Sequence, residues 1–141
     1  MYMAGSLGNI NIAEMDGSNK DRLVTSGQGT CDGIAVDAAS FLLYWVNYRS
    51  NSIHSCFLNG TDPTTIIQLP GGAFPWGLVK IVVNIYWSTS GSRMLQKGKE
   101  TGEDRITLYT GNEPVHHLAV VQPKFDKTTT IGTRGETISG Q

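Results

Sequence analysis

The chain has 141 residues, of which 39% are hydrophobic, and a formal net charge of -1 at pH 7. This is the size of one globular domain, and its scattered 11 basic and 12 acidic residues exclude a basic stripe for nucleic acid and an acidic tail. The most apolar stretch, residues 78–87, contains Lys80 and Asn84. Because a membrane-spanning helix needs about 20 apolar residues, we expect no membrane span, and no secretory signal is visible.

Turn-forming residues divide the chain into short apolar runs, which favours many short strands over helices. Two strands are predicted before Cys31, roughly four between Gly77 and Thr110, and one at 118–121. The four strands of the middle stretch are predicted at 33–37, 41–47, 52–58 and 64–69. Asn59-Gly60 between the last two is a strong hairpin signal, since both residues tolerate positive φ.

Three kinds of segment recur in the same order along the chain. A turn around Gly17 returns at Gly60 and more faintly at Gly102, with spacings of 43 and 42 residues. The repeated segments are 15–19, 58–62 and 100–104 for the turn, 43–45 and 85–87 for a Tyr-Trp strand, and 33–37, 77–81 and 117–121 for an apolar strand. A period of about 40 to 45 residues is typical of four-stranded propeller blades.

The aromatic strands resemble a known repeat. Leu-Tyr-Trp-Val-Asn at 43–47 and Ile-Tyr-Trp-Ser-Thr at 85–89 are similar to the Tyr-Trp-Thr-Asp (YWTD) motif of the low-density lipoprotein receptor class B repeat, whose members form six-bladed propellers. The matching motif residues are Tyr44, Trp45, Asn47, Tyr86 and Trp87. The family aspartate is replaced twice, by Asn47 and Thr89, so we expect weaker local hydrogen bonding within the blades.

The resemblance implies an all-β fold, an incomplete propeller with about two to three four-stranded blades of a six-bladed ring. We expect an N-terminal lead at 1–9, a partial propeller at 10–123 and a disordered or truncated tail at 124–141. The expected repeats are about 10–32, 33–76 and 77–123. Such a set cannot close a ring, so we expect a fragment whose open blade edges and apolar faces promote association.

The function that the resemblance implies is a non-enzymatic, extracellular protein-binding module of a receptor related to the low-density lipoprotein receptor. Its place would be the outer side of the plasma membrane or the endosome, its role ligand binding or release, and its partner a protein ligand or another module of the receptor. A structural matrix propeller of nidogen type is the alternative, and a propeller hydrolase is a weaker one. No catalytic motif, metal spacing or cofactor site is predicted, and a hydrolase would have only Asp37 on the first strands.

Three residues are candidates for contact with a ligand. Trp76 precedes a first strand, where members of this family present side chains on the ligand-facing rim, and a structural role for it is about equally well supported. His116 and His117 lie in a rim-like loop and titrate in the range between neutral and endosomal pH. His54 lies within a strand, where a hydrogen-bonded structural histidine is expected.

Two further features concern covalent chemistry. Asn59-Gly60-Thr61 is a glycosylation sequon on a turn that we expect to be exposed. Cys31 and Cys56 are predicted on strands two positions apart in one sheet. At about 4.8 Å per strand this separation exceeds the roughly 7 Å Cα reach of a disulfide, so the sequence predicts two buried thiols that are not joined.

Overall fold

The computed structural model describes residues 1–4, 8–25 and 31–115, and in these ranges all regular structure is β. Eleven strands form three antiparallel meander sheets: β1-β2-β3, β4-β5-β6-β7 and β8-β9-β10-β11. The strands are β1 Tyr2–Ala4, β2 Asn9–Ile12, β3 Asp21–Thr25, β4 Cys31–Asp37, β5 Leu42–Asn47, β6 Ser52–Phe57, β7 Thr64–Gln68, β8 Pro75–Ile81, β9 Asn84–Thr89, β10 Met94–Lys99 and β11 Ile106–Thr110. The predicted all-β propeller architecture is confirmed.

The three sheets share the same irregularities at the same repeat positions. In each sheet the register between the last two strands shifts at a bulge. The bulges lie between Ile10 and Asn11, Ile53 and His54, and Leu95 and Gln96. The left-handed turn residues also recur: Gly17, Gly60 and Gly102 have φ of 87°, 87° and 90°. Glycine adopts this backbone conformation without a steric cost. The sequence repeat is therefore also a structural repeat.

The first sheet contains a strand that was not predicted from the sequence. Two strands were expected before Cys31, but Tyr2–Ala4 forms a third, with Tyr2 paired to Ile12. In the other blades Tyr44 is paired to Ser55 and Tyr86 to Lys97, at the equivalent positions. β1 is thus the Tyr strand of the first blade, hidden in the sequence because it is short and has no Trp after the Tyr. The strand expected at 118–121 and the tail at 124–141 lie outside the described residues.

The core lies between the faces of neighbouring sheets. One buried cluster joins the second and third sheets, and another joins the first and second. The first includes Tyr44, Ile67, Leu78 and Trp87, and the second includes Ile10, Val24, Leu43, Trp45 and Cys56. Each Trp side chain buries on the order of 150–250 Å². The sheets therefore hide each other's apolar faces, as propeller blades do.

β4 and β8, the first strands of the second and third blades, approach each other closely at Gly33, where the absence of a side chain leaves room for the backbone of β8. A Cβ atom at Gly33 would lie 2.6 Å from the carbonyl oxygen of Trp76 and 3.0 Å from the amide nitrogen of Leu78. The described residues include no helix with the length and apolarity needed to cross a membrane.

Candidate ligand-binding rim

Strand direction gives the propeller two rims. β4 and β8 start at the rim that we name the upper rim, which also carries the β5–β6 and β9–β10 turns. The lower rim carries the β4–β5, β6–β7, β8–β9 and β10–β11 turns.

The upper rim holds three contacting aromatic side chains, which we name the aromatic cluster: Tyr48, Phe74 and Trp76. The rings of Tyr48 and Phe74 are stacked, with centroids 4.8 Å apart and 19° between their planes. Trp76 meets Tyr48 edge to face at 5.5 Å. All three side chains are half-buried, so each keeps surface that a partner can contact. Trp76 was expected on this rim, whereas Tyr48 and Phe74 were missed.

The turn that carries Tyr48 is fixed by the residue before it. Asn47 is buried, and its Oδ1 accepts hydrogen bonds from the backbone N–H groups of Arg49 and Ser50, both at 3.1 Å. The amide oxygen thus orders the first half of the β5–β6 turn, in the manner of an Asx turn. Tyr48 consequently projects from a defined backbone at the junction of two blades.

Phe74 is held from both sides. Its backbone N–H donates to Asn51 Oδ1 at 2.7 Å, and its carbonyl oxygen accepts from the N–H of Ser90 at 3.0 Å. These partners belong to the β5–β6 and β9–β10 turns of successive blades. The φ of Phe74 is 53°, a left-handed conformation that is uncommon for an aromatic residue and is kept by its surroundings. The aromatic cluster is therefore built before any ligand arrives.

The two positions that depart from the family motif keep local hydrogen bonds. Thr89, like Asn47, is buried at the end of its strand. Its Oγ1 accepts from the N–H of Met94 at 3.0 Å and shares a 2.6 Å hydrogen bond with Ser92 Oγ. An amide and a hydroxyl thus supply acceptors to these turns in place of the family carboxylate, and the weakening that we expected stays a prediction.

The motif aromatics lie in or beside the core between the sheets. Tyr44, Trp45 and Trp87 are fully buried between sheets, and Tyr86 is half-buried. The Nε1–H of Trp87 donates to Gln96 Oε1 at 3.1 Å, whereas the Nε1 of Trp45 is buried without a hydrogen-bond partner. The residue paired with Trp45 is not Gln but His54, which stacks on the indole with centroids 5.3 Å apart.

His54 is held by hydroxyl groups at both ring nitrogens. Its Nε2 is 2.7 Å from Ser52 Oγ, and its Nδ1 is 3.0 Å from Thr65 Oγ1. Burial lowers the pKa of His54. The Ser-His pair does not form a hydrolytic site, because Ser52 is buried and the second imidazole nitrogen faces a hydroxyl instead of the carboxylate of a triad.

Asp37, the carboxylate that a propeller hydrolase would use, is paired with a lysine of the next blade. Lys80 Nζ lies 2.6 Å from Asp37 Oδ2 and 2.9 Å from Glu100 Oε2, and its side chain is 5% exposed. Burial alone disfavours the ammonium, but the hydrogen bonds to Asp37 and Glu100 outweigh it and raise the pKa of Lys80. The hydrogen bond from Lys80 lowers the pKa of Asp37. Across the ranges that the structure describes, no three His, Cys, Asp or Glu residues converge on a metal position.

The two cysteines behave as predicted. Cys31 and Cys56 are both buried thiols with no disulfide between them. Burial raises the pKa of Cys56 to about 11. The thiolate is the reactive form of cysteine, and burial favours the neutral thiol of Cys56 at neutral pH.

Of the remaining candidates, the structure describes only Asn59. Asn59 lies on an exposed turn of the lower rim, between β6 and β7. His116 and His117 lie outside the described residues, and their role stays a prediction.

No known family profile matches the chain. Among curated proteins, it is 29% identical over 109 residues to low-density lipoprotein receptor-related protein 5 of Mus musculus, covering 77% of this chain and 7% of that protein. It is 30% identical over 128 residues to the vitellogenin receptor of Solenopsis invicta, covering 86% of this chain and 7% of that receptor. The chain thus spans a small part of the length of these relatives.

Solved structures share the fold. Nidogen in its complex with laminin aligns with a TM-score of 0.66 and 20% identity, over 76% of this chain and 42% of that one. Virginiamycin B lyase from Staphylococcus aureus aligns with a TM-score of 0.63 and 17% identity, over 78% and 38%. At these identities the likeness establishes the propeller architecture alone.

Proposed function

Because the chain carries β-propeller repeats of the low-density lipoprotein receptor YWTD type, we propose that it is a non-enzymatic, extracellular module that binds a protein ligand. The binding surface is the aromatic cluster on the upper rim. The observation that carries this proposal is the junction of two blades, where three aromatic side chains are held half-exposed on a backbone fixed from both sides.

The composition of this rim is that of a protein-binding hot spot. Trp, Tyr and Arg are the residues most enriched among those that dominate binding energy at protein interfaces. Arg49 is exposed directly after Tyr48, and Arg93 lies on the neighbouring β9–β10 turn. The complementary partner is a protein segment that combines an apolar or aromatic side chain with a carboxylate.

Preorganisation supports the same conclusion. Ordering a loop or a side chain at an interface costs about 0.5–1.5 kcal/mol for each rotamer-rich side chain. The backbone of Phe74 is already hydrogen-bonded to turns on either side, and Tyr48 and Trp76 already contact one another. Most of the free-energy cost of ordering this surface is therefore met when the chain folds, and little of it remains when a ligand binds.

The names of the relatives supply two probes that separate the receptor role from the matrix role. A receptor module of this kind is expected to bind vitellogenin, the protein for which one relative is named. A matrix propeller is expected to bind laminin, the partner in the nidogen complex. The receptor role is our first proposal, since the curated relatives are receptors by name.

The test is binding of the secreted, purified chain to immobilised vitellogenin and laminin, measured by biolayer interferometry. Trp76→Ala removes the indole from the aromatic cluster, and Val82→Ala, on the exposed lower rim, is the control. We expect Trp76→Ala to weaken binding at least tenfold, which corresponds to about 1.4 kcal/mol, and Val82→Ala to leave it unchanged. A folded chain that binds neither protein, or that binds equally well without the indole, contradicts the proposal.

A further inference from the structure

An apolar cleft lies on the lower rim, away from the aromatic cluster. It has a volume of about 360 Å³ and is lined by Phe41, Phe57, Leu58, Asn59 and Thr61. Phe41 is 67% exposed and Phe57 43% exposed. Both phenyl rings line the same cleft and leave apolar surface open to solvent.

The cleft is rigid because two turns are bonded to each other. The N–H of Leu58 in the β6–β7 turn donates to the carbonyl oxygen of Phe41 in the β4–β5 turn at 2.9 Å. Within the β6–β7 turn, the N–H of Phe57 donates to the carbonyl of Thr61 at 3.0 Å, and that of Gly60 donates to the carbonyl of Phe57 at 2.8 Å. Asn59 therefore stands at a fixed place on the wall of the cleft.

The other blades do not repeat the pair of phenylalanines, since Val83 takes the position of Phe41 in the third blade. The same hydrogen-bond pattern returns in the third blade, where Lys99 and Glu100 replace Phe57 and Leu58. In the first blade, Glu14 takes the place of Phe57. The second blade is thus the one that combines the aromatic positions with Asn59-Gly60-Thr61, which is also the single Asn-x-Ser/Thr sequon of the sequence.

The side chain of Asn59 is exposed and oriented by its own turn. Its Oδ1 accepts hydrogen bonds from the N–H of Thr61 at 3.1 Å and from the Oγ1–H of Thr61 at 2.6 Å. Both bonds end on the amide oxygen, which leaves the amide nitrogen Nδ2 for a covalent bond. The equivalent turn of the first blade has the same geometry, with Asp16 accepting from Ser18, but a carboxylate cannot be N-glycosylated.

We propose that Asn59 carries an N-linked glycan and that its first N-acetylglucosamine lies in the cleft, against Phe57 and Phe41. The inference rests on the extracellular placement in the proposed function, because the glycan is added in the secretory pathway. The donor is an oligosaccharide linked to a lipid pyrophosphate. A bond forms between Asn59 Nδ2 and C1 of the first sugar, the bond from C1 to the pyrophosphate oxygen breaks, and Nδ2 gives up one proton to a base of the transferase.

The first N-acetylglucosamine is favoured as the occupant of the cleft because it is attached at Asn59, on the wall of the cleft. A sugar bonded to Asn59 is held beside the phenyl rings at an effective concentration that no free ligand reaches. A pyranose ring presents a face of C–H groups, which can cover apolar surface, while its hydroxyl groups remain in water. The glycan thereby replaces an exposed aromatic surface with a hydrated one.

The first test is whether the modification is made. The full chain is expressed behind a cleavable signal peptide in insect cells and recovered from the medium. We expect peptide-N-glycosidase F to increase its electrophoretic mobility by one glycan. Asn59→Gln and Thr61→Ala should abolish this shift, whereas Ser18→Ala, the matched change in the first blade, should retain it.

A secreted chain with no glycan contradicts the inference and leaves the proposed upper-rim function standing. A chain that carries the glycan yet binds neither vitellogenin nor laminin contradicts the proposed function and leaves the glycan in place. The two failures are therefore distinguishable.

The second test asks where the first sugar lies, and it needs no engineered mutation. Expression with kifunensine keeps the glycan in the oligomannose form that endoglycosidase H cleaves, which leaves one N-acetylglucosamine on Asn59. Peptide-N-glycosidase F removes every sugar and converts the side chain of Asn59 to a carboxylate. Hydroxyl-radical footprinting then reports the solvent access of Phe41 and Phe57 in each form. We expect both rings to be protected at least threefold in the intact and endoglycosidase-trimmed forms, and to lose protection after complete removal.

Equal labelling in all three forms overturns the placement of the sugar. Protection that persists after complete removal and grows with protein concentration assigns the cleft to a second copy of the chain, and also overturns it. Labelling of Tyr48 on the upper rim serves as the control, and it should not change among the three forms.

Discussion

At the scale of single residues, the second blade has a buried polar group without a hydrogen-bond partner, the indole N–H of Trp45. In the third blade the indole N–H of Trp87 donates to Gln96, and Gln96 Nε2 donates in turn to Thr107 Oγ1 at 3.1 Å. In the second blade His54 takes the position of Gln96, and the indole N–H of Trp45 has no acceptor. A buried donor without a partner costs about 1–3 kcal/mol.

We therefore predict that His54→Gln stabilises the chain. A glutamine in the conformation of Gln96 accepts from Trp45 and keeps a hydrogen bond to Thr65, so it gives up the stacking of the imidazole and gains an acceptor for the buried indole N–H. Because the imidazole also loses its bond to Ser52, the expected net gain is about 1 kcal/mol in the free energy of unfolding. Urea denaturation monitored by tryptophan fluorescence measures it. His54→Ala, which removes the stacking and both ring hydrogen bonds and supplies no acceptor in their place, should be destabilising.

The same residue gives the fold a pH dependence with a definite sign. The pKa of His54 is lowered in the folded chain by burial, so the unfolded chain binds more protons between the folded and unfolded pKa values. Stability from this group is complete above the unfolded pKa of about 6.5 and is lost as the pH falls towards the folded pKa. Urea midpoints between pH 8 and pH 5 should fall for the parent chain and change less for His54→Gln. An equal fall in both chains contradicts the assignment to His54.

At the scale of strands, Gly33 controls the spacing between β4 and β8. A methyl group there would meet the carbonyl oxygen of Trp76 at 2.6 Å, and backbone cannot move aside as a flexible side chain can. Overpacking of this kind costs about 1–3 kcal/mol, and we predict a loss in that range for Gly33→Ala, measured by urea denaturation. At Gly71, where an added Cβ meets no described atom within 4 Å, the same substitution should cost little. Equal losses at the two positions contradict this account.

The ion cluster of Lys80 also acts between strands, since it links β4, β8 and the β10–β11 turn. Removing the ammonium with Lys80→Met leaves Asp37 and Glu100 close to one another with no cation between them. We predict that this change lowers the thermal unfolding midpoint by more than Lys99→Met does. Lys99 is the matched control, because its pair with Asp104 at 2.8 Å is exposed to solvent. A larger loss for Lys99→Met contradicts a cross-blade role for Lys80.

Strands and turns could be predicted from sequence, whereas contacts between blades could not. Turn glycines and alternating apolar residues are local signals, so β4 to β7 begin and end within two residues of the predicted bounds. Tyr2–Ala4 was missed because three residues carry too little pattern. Lys80 and Asp37 are 43 residues apart, and only the stacking of sheets brings them together. Tyr48 and Phe74 were missed for the same reason, although Asn47 and Asn51 beside the β5–β6 turn were a signal of an ordered loop.

At the scale of the whole molecule, the outer faces of the sheets differ. Ile67 in the second sheet is 2% exposed because the third sheet covers it, whereas Tyr109, at the equivalent position of the third sheet, is 57% exposed. Leu108 beside it is also exposed. We propose that this apolar face drives the association that the sequence suggested.

We predict that the 141-residue chain forms concentration-dependent oligomers and that Tyr109→Lys shifts it towards the monomer. A charged side chain on this face opposes the burial of its apolar surface against another chain. Sedimentation velocity over a tenfold range of concentration measures the shift. Met15→Lys, on an exposed position of the lower rim, is the control. A chain that is monomeric at every concentration, or that associates equally well with both substitutions, contradicts the prediction.

The turn glycines can report which blades have neighbours. A Cβ at Gly60 would lie 2.7 Å from the carbonyl oxygen of Leu23, and one at Gly102 would lie 2.2 Å from that of Ile66. Each of these turns therefore packs closely against the preceding blade. Within the described part of the chain, nothing stands within 4 Å of such an atom at Gly17, although all three glycines share the same backbone angle. Alanine at Gly17 therefore carries only the conformational penalty, while at Gly60 it adds a collision. In a longer polypeptide that supplies another blade upstream, Gly17→Ala would cost as much stability as the same change at Gly60. The stability cost of alanine at each turn glycine would therefore report whether a blade precedes that turn.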